Sequence, residues 1–324
     1  LSASFQLKPE WLDWFCDCLL RKVPIFQIEQ QLAISGISDP KTFLAEVQKD
    51  PIFKWAYQQK RALRQHQILI QTQHKLRKIS NIPRVDTLTE QAFFEYFYSA
   101  QSPVVIEKWV TQWPAYQKWS ASFLRDQYGS AQIKITQGRE GHQDYDIRSS
   151  DYQVDGLLAE FAERVINTEH SNDFYLIARN RVIESPTLLP LWDDVIEEPY
   201  LDVSLRKGCA ALWFGPKGTI TPLHHDTCNI LFAQVWGDKR ITLVPPTYMK
   251  LFESSKSMYS FEDVLKSPIQ EESFVIDLKA GSALFIPVGW WHQVEALSAS
   301  ISMAMTHFKR RNDFDDYRPG AIPS

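Results

Sequence analysis

Apolar residues near the start of the chain recur at three- and four-residue intervals, as Trp11, Trp14, Phe15, Cys18 and Leu19 do. That spacing predicts an amphipathic helix. Asp39-Pro40 reads as a cap followed by a first-turn proline, opening a second helix through Phe43, Leu44 and Val47. A longer helix is expected over about residues 51–78, where neither glycine nor an internal proline interrupts the run. From Asn81-Ile82-Pro83 the texture changes. Short β-type runs at 103–106 and 132–135 predict strands, with helical pieces at 90–97 and 156–165 between them. After Cys209 the pattern is almost purely strand and turn. The expected organisation is an N-terminal helical region (1–80), a strand-rich domain (81–310) and a polar surface tail (311–324).

Composition narrows this only a little. Hydrophobic residues at 44% and charged residues at 23% are ordinary for a globular protein. A net charge of −4 gives no reason to expect a nucleic-acid partner for the whole chain. The charge is uneven, however. Eight Lys or Arg and no acid lie between Pro51 and Val85, which fits either a solvated helix face or a docking arm for an acidic partner. Cys16, Cys18, Cys209 and Cys228 have neither zinc-ribbon nor disulfide spacing, so reduced structural thiols are expected. No segment approaches the roughly 18 apolar residues of a membrane span. Residues 1–10 lack a basic stretch followed by an apolar core, so no signal peptide is expected and the location is read as cytoplasmic.

The chemistry concentrates in one stretch, from Leu212-Trp213-Phe214-Gly215-Pro216 through Thr221-Pro222-Leu223-His224-His225-Asp226. It reads as strand, Gly/Pro turn, strand. Side chains alternate along a strand, so His224 and Asp226 share a face and His225 points away. A His and a carboxylate so placed can fill two adjacent corners of an octahedral metal. One further His would complete a facial triad and leave three positions open. His292, after Gly281-Ser282-Ala283-Leu284-Phe285-Ile286 and a Pro287-Val288-Gly289 corner, is the candidate. A lone His-x-Asp arises often by accident, so the flanking sequence has to carry the rest.

Those flanks resemble the Jumonji-C oxygenases. Trp213 through Asp226 is similar to the family's first metal strand, and Leu231-Phe232-Ala233-Gln234-Val235-Trp236-Gly237-Asp238-Lys239-Arg240 to the hairpin that follows. Residues 281–292 resemble the distal-histidine segment; Pro103 to Ile106, Trp113-Pro114 and Lys118-Trp119-Ser120 resemble the entry to the domain. The likeness spans about residues 85–308 and is closest to the protein-hydroxylase branch, which includes asparaginyl and arginyl hydroxylases. It implies a mainly β fold, a double-stranded β-helix (a cupin-like jelly roll), behind the N-terminal helices. It also implies Fe(II) held by His224, Asp226 and His292, with 2-oxoglutarate and O2 as cosubstrates.

By the same resemblance Lys239, Thr221 and Tyr175 would bind the far carboxylate of 2-oxoglutarate, a charge-assisted arrangement. Ile230 stands where many relatives carry Asn, and its neighbour Asn229 should face the other way. Thr306 and His307 fall where relatives place Asn or Trp near the cosubstrate, and His307 is a candidate to orient a carboxylate there. The implied activity is hydroxylation of a peptide or protein side chain. N-methyl-lysine demethylation, hydroxylation of a small molecule, and a non-catalytic cupin-like binding or scaffold role are the alternatives. No histone-reader or zinc module is recognisable in these 324 residues, which lowers the expectation of demethylation. A homodimer, if one forms, is expected through the N-terminal helices.

Overall fold

The computed structural model describes residues 9–76, 80–142, 144–248, 251, 258–260, 262, 264–266 and 269–314, with the side chains of 9, 10 and 74 outside the description. The chain divides into two compact units, Leu1–Lys78 and Ile79–Ser324.

The first unit is helical: α1 (Pro9–Leu20), α2 (Ile25–Ile34), α3 (Pro40–Lys49) and α4 (Pro51–Leu76). Asp39 caps α3, its carboxylate accepting the Thr42 N–H at 3.1 Å, with Pro40 in the first turn. The periodic residues of α1 face a small core of Phe15, Cys16, Ile28, Leu32, Leu44, Val47 and Phe53. Lys60 fastens α4 to α1 through Asp13 and Asp17, at 2.6 and 2.8 Å. Helix α2 was not among the expected elements. It follows Pro24 without a side-chain cap and buries only Ile28 and Leu32, too short a stripe to stand out. Lys54, Arg61, Arg64 and Lys75 of the basic run are exposed, as are His66, His142 and His170. The expectations for residues 1–8, Arg77, Lys78, the side chain of His74 and the tail 315–324 lie outside the described residues.

The second unit is built on strands. They are β1 (Arg84–Val85), β2 (Val104–Ile106), β3 (Gln132–Gln137), β4 (Gln153–Leu157), β5 (Phe174–Tyr175), β6 (Ala210–Gly215) and β7 (Ile220–His224). There follow β8 (Ile230–Trp236), β9 (Lys239–Val244), β10 (Phe274–Leu278), β11 (Ala283–Ile286), β12 (Trp291–Ala296) and β13 (Ser300–Met305). A six-stranded sheet runs β1-β2-β11-β8-β13-β6, a four-stranded sheet β10-β9-β12-β7, and a three-stranded sheet β4-β3-β5. Apart from the parallel β1–β2 pair, every pairing is antiparallel. The expected jelly roll is borne out.

Period-2 alternation explains the layering. Phe232 of β8 and Leu284 of β11 face Ile241, Leu243, Ile276 and Val294 of the four-stranded sheet, forming the core between the sheets. Their neighbours Leu231, Ala233, Val235, Ala283 and Phe285 face outward, into a second core built with Phe93, Phe94, Leu124, Phe161 and Val165. The six-stranded sheet is thus covered on both faces, and β2, β6 and β11 read as continuous apolar runs.

Two local expectations need correction. Gly156 and Leu157 belong to β4, and the helix starts only at Leu158, running Leu158–Ile166. Gly156 is the poorest helix former in that run and pairs with Ile133. The piece expected at 90–97 is one α-turn, Glu90–Ala92, continued as a π-helix, Phe93–Tyr98.

Gly237 makes the turn that delivers Lys239 to the head of β9. Its φ is +69°, and a Cβ there would lie 2.1 Å from the Ala299 carbonyl oxygen. The left-handed conformation alone disfavours a side chain by about 1–2 kcal/mol, and the backbone clash adds to it. Gly237→Ala is therefore expected to lower unfolding stability by more than about 2 kcal/mol in urea titration. An unchanged midpoint would contradict this account of the turn.

Candidate metal centre

His224 ends β7 and His292 lies in β12, and the two are direct cross-strand partners. Their rings stand 4.1 Å apart. Asp226 lies just past the end of β7, with its Oδ2 3.8 Å from His224 Nε2 and 3.3 Å from His292 Nε2. One donor atom from each of the three lies within 4.8 Å of the others, and no other group of three or more His, Cys, Asp or Glu among the described residues comes together in this way.

Both histidines are oriented in the same manner. His224 Nδ1 meets the Pro222 carbonyl at 2.7 Å, and His292 Nδ1 meets the Trp290 carbonyl at 3.0 Å. A carbonyl only accepts, so the proton sits on Nδ1 and Nε2 keeps its lone pair for a cation. Burial, helped by neighbouring His292, pushes His224 down to about 4, so its imidazole is neutral at physiological pH. Burial pushes the Asp226 carboxyl upward, but the closeness of the His292 and His224 rings outweighs this and leaves it below the ordinary range. His225 points the other way, its ring 4.5 Å from Trp291 on the outer face.

A cavity of about 250 Å³ adjoins the cluster. Thr221, Tyr175 and Lys239 line it, together with Trp213, Ile230 and Phe232. Thr221 is three residues from His224, an odd interval that a regular strand would turn to the opposite face. A β-bulge removes the conflict. Thr221 pairs with Val294 and His224 with His292, so Pro222 and Leu223 together oppose Gln293. Proline, with no N–H to give to a ladder, suits that position.

Lys239 is buried, and its ammonium donates to the Tyr175 hydroxyl at 2.8 Å. No carboxylate among the described residues pairs with it. Burial brings its pKa down to about 7. Burial also pushes the Tyr175 phenol above its usual range, so that hydroxyl is neutral and cannot serve as a counter-ion.

His307 does not reach the cavity. Ala304 and Thr306 line it, and alternation sends the next residue to the opposite side. There His307 Nε2 lies 2.6 Å from the buried Glu197 carboxylate, which is also paired with Arg206. Asn229 likewise faces away, its side-chain oxygen accepting the Val288 N–H at 2.8 Å at the corner before β12.

Sequence reasoning overlooked the residues behind β7. Arg139 is fully buried and donates to the Ile220 carbonyl at 2.6 Å, where the Tyr145 hydroxyl also donates at 3.2 Å. Asn172 Oδ1 accepts the Ile220 N–H at 2.8 Å. These side chains stand in for a missing strand at the start of β7. An arginine, a tyrosine and an asparagine in loops carry no sequence signal for that task.

The cupin-like domain family matches this chain over residues 90–314. The chain is 29% identical over 242 residues to lysine-specific demethylase JMJ30 of Arabidopsis thaliana, covering 67% of this chain and 52% of that protein. It is 27% identical over 240 residues to lysine-specific demethylase 8 of Xenopus tropicalis, covering 69% of this chain and 52% of that protein. It is 23% identical over 251 residues to the human bifunctional peptidase and (3S)-lysyl hydroxylase JMJD7, covering 65% of this chain and 78% of that protein. The chain thus spans about half the length of the two demethylase-named relatives.

The state of Lys239 makes anion binding pH-dependent. A carboxylate beside it favours the charged form and raises its pKa from about 7, so above pH 7 binding must take up a proton. The affinity of the cavity for a small dicarboxylate is expected to fall about tenfold per pH unit above 7 and to level off below it. Calorimetry in buffers of different ionisation enthalpy measures the uptake directly. A constant affinity from pH 7 to 9 would exclude it.

Proposed function

We propose that this chain, which belongs to the cupin-like domain family, is an Fe(II)- and 2-oxoglutarate-dependent oxygenase that hydroxylates a side chain of a peptide or protein. The observation that carries this reading is one cavity with a two-His, one-Asp cluster and a buried lysine that no acid among the described residues neutralises. His224, Asp226 and His292 would supply three ligands on one side of an octahedral ion, leaving three positions for cosubstrate and oxygen. Iron held there would supply, with 2-oxoglutarate and O2, the oxidising power for hydroxylation, one oxygen atom going to the substrate and the other to the succinate formed with loss of CO2.

The chain's own residues have three tasks. Neutral His224 and charged Asp226 offer ligand atoms that need not lose a proton at pH 7. Lys239, with the hydroxyls of Tyr175 and Thr221, would hold the far carboxylate and so fix the cosubstrate's direction. Trp213, Ile230, Phe232 and Ala304 line the cavity with apolar surface that keeps water from the reacting atoms.

A protein substrate is supported by relatives named for action on lysine, one of them a lysyl hydroxylase. Two of those names favour a second reading, in which hydroxylation of an N-methyl group ends in loss of formaldehyde. The products separate the two. Mass spectrometry of a proteome incubated with the enzyme would find peptides heavier by one oxygen atom in the first case. Loss of methyl groups and released formaldehyde mark the second.

Purified protein supplied with Fe(II), 2-oxoglutarate and O2 is expected to form succinate. Asp226→Ala should reduce that to background without lowering the unfolding midpoint appreciably. Lys239→Met should raise the KM for 2-oxoglutarate about 100-fold, the scale of an unpaired charged contact. Normal turnover by a folded Asp226→Ala protein would refute the reading. Absence of both turnover and 2-oxoglutarate binding would favour a binding or scaffold protein instead.

A further inference from the structure

β7 is the outermost strand of its sheet, so one of its edges has no strand partner. Arg139, Tyr145 and Asn172 cover that edge at Ile220. Residues 258–260 cover it at the other end. The His225 N–H donates to the Met258 carbonyl at 3.0 Å and the Ser260 N–H to the Leu223 carbonyl at 2.8 Å. Tyr259 thereby becomes the antiparallel partner of His224.

Directly opposed residues on an antiparallel pair bring their side chains into contact. Here the Tyr259 ring stacks on the His224 imidazole, with centroids 5.5 Å apart and planes 22° from parallel. From the strand on the other side, His292 approaches the same imidazole at 4.1 Å. The ring of His224 is therefore held at one atom, by the Pro222 carbonyl, and flanked on both sides by other rings. Among the described residues, Tyr259 is the ring that lies nearly parallel to it. A single hydrogen bond at Nδ1 leaves an imidazole free to swing about that bond; a parallel ring beside it removes the freedom.

We propose that Tyr259 is a positioning residue that keeps His224 Nε2 aimed at the cation site through ring stacking. The proposal rests on the reading of His224 as a metal ligand. It distinguishes the ring from the hydroxyl, since the contact is made by the face of the aromatic system. Groups that orient a ligating histidine typically change metal affinity 10–100-fold when removed.

The test uses the full chain and Co(II) alone, under nitrogen, with calorimetry for affinity and the visible d–d bands for ligand geometry. The wild-type protein and Tyr259→Phe are expected to bind one Co(II) with the same affinity and the same bands. Tyr259→Leu should bind about 10–100-fold more weakly, with shifted bands. Tyr259→Met serves in its place if the leucine protein fails to fold. Wild-type affinity and bands in the folded leucine or methionine protein would overturn the proposal while leaving the metal site standing. If wild-type protein binds no Co(II), the metal reading falls, and this proposal with it. Weakened binding in Tyr259→Phe equal to that in Tyr259→Leu would also overturn it, because the hydroxyl and not the ring would then be responsible.

Discussion

The cross-strand pairing of His224 with His292 is the constraint around which the second unit is arranged. Two imidazoles from distant parts of the chain face one point only if β7 and β12 hold this one register. A slip of one residue would send one of them to the outer face. The pairing is reinforced on both sides. β12 is fixed against β9 over six consecutive residue pairs. β7 is the outermost strand of its sheet, and buried side chains and the short run 258–260 hold its outer edge. The bulge at Pro222-Leu223 then turns Thr221 to the same side as His224. Register, bulge and edge cover together place three polar groups on one cavity wall.

Polar burial on this scale is tolerated only where each group has a partner or a purpose. Arg139 satisfies several backbone and side-chain acceptors at once and lies 4.2 Å over the Tyr145 ring, so its charge is spread over many contacts. The Glu197 carboxylate is shared between His307 and Arg206. Lys239 differs from these charged groups. It has a neutral hydroxyl and two aromatic faces, those of Tyr175 and Phe232, and among the described residues no acid. Replacing it with an apolar residue would relieve that burial, so its presence argues for a ligand that brings the missing negative charge.

Much of this was legible in the chain, for reasons that differ by residue. His224, Asp226 and the outward turn of His225 follow from alternation alone, which needs no knowledge of the rest of the fold. The convergence of His292 does not; a Pro/Gly corner between two strand-like runs made it the candidate, and the resemblance of its flanks to Jumonji-C oxygenases supported it. Thr221 was reached by that resemblance against the alternation rule, and the bulge is why both hold. His307 shows the converse. Parity with Thr306 places it on the opposite side of β13's extension, so adjacent residues could not both face a cosubstrate. Arg139, Asn172 and Tyr259 had no signal at all. A loop residue that covers a strand edge is chosen by where the loop travels, which local pattern does not encode.

The two ends of the cavity answer to pH in opposite senses, and this bears on how the site would fill. At the cluster, burial and the nearness of His292 disfavour the charged form of His224, so protons compete weakly with a cation near neutrality. At the far end, burial disfavours the charged form of Lys239, so an anion must restore a proton there. An ion bound by two neutral imidazoles and one carboxylate leaves that end with a net positive charge, if the ion is divalent. A protonated lysine gives the other end the same sign. A dicarboxylate spanning the cavity would meet a positive charge at each end, and each attraction acts in a setting where burial weakens screening. Cation and dicarboxylate should then favour one another's binding, and by linkage the favour is equal in both directions.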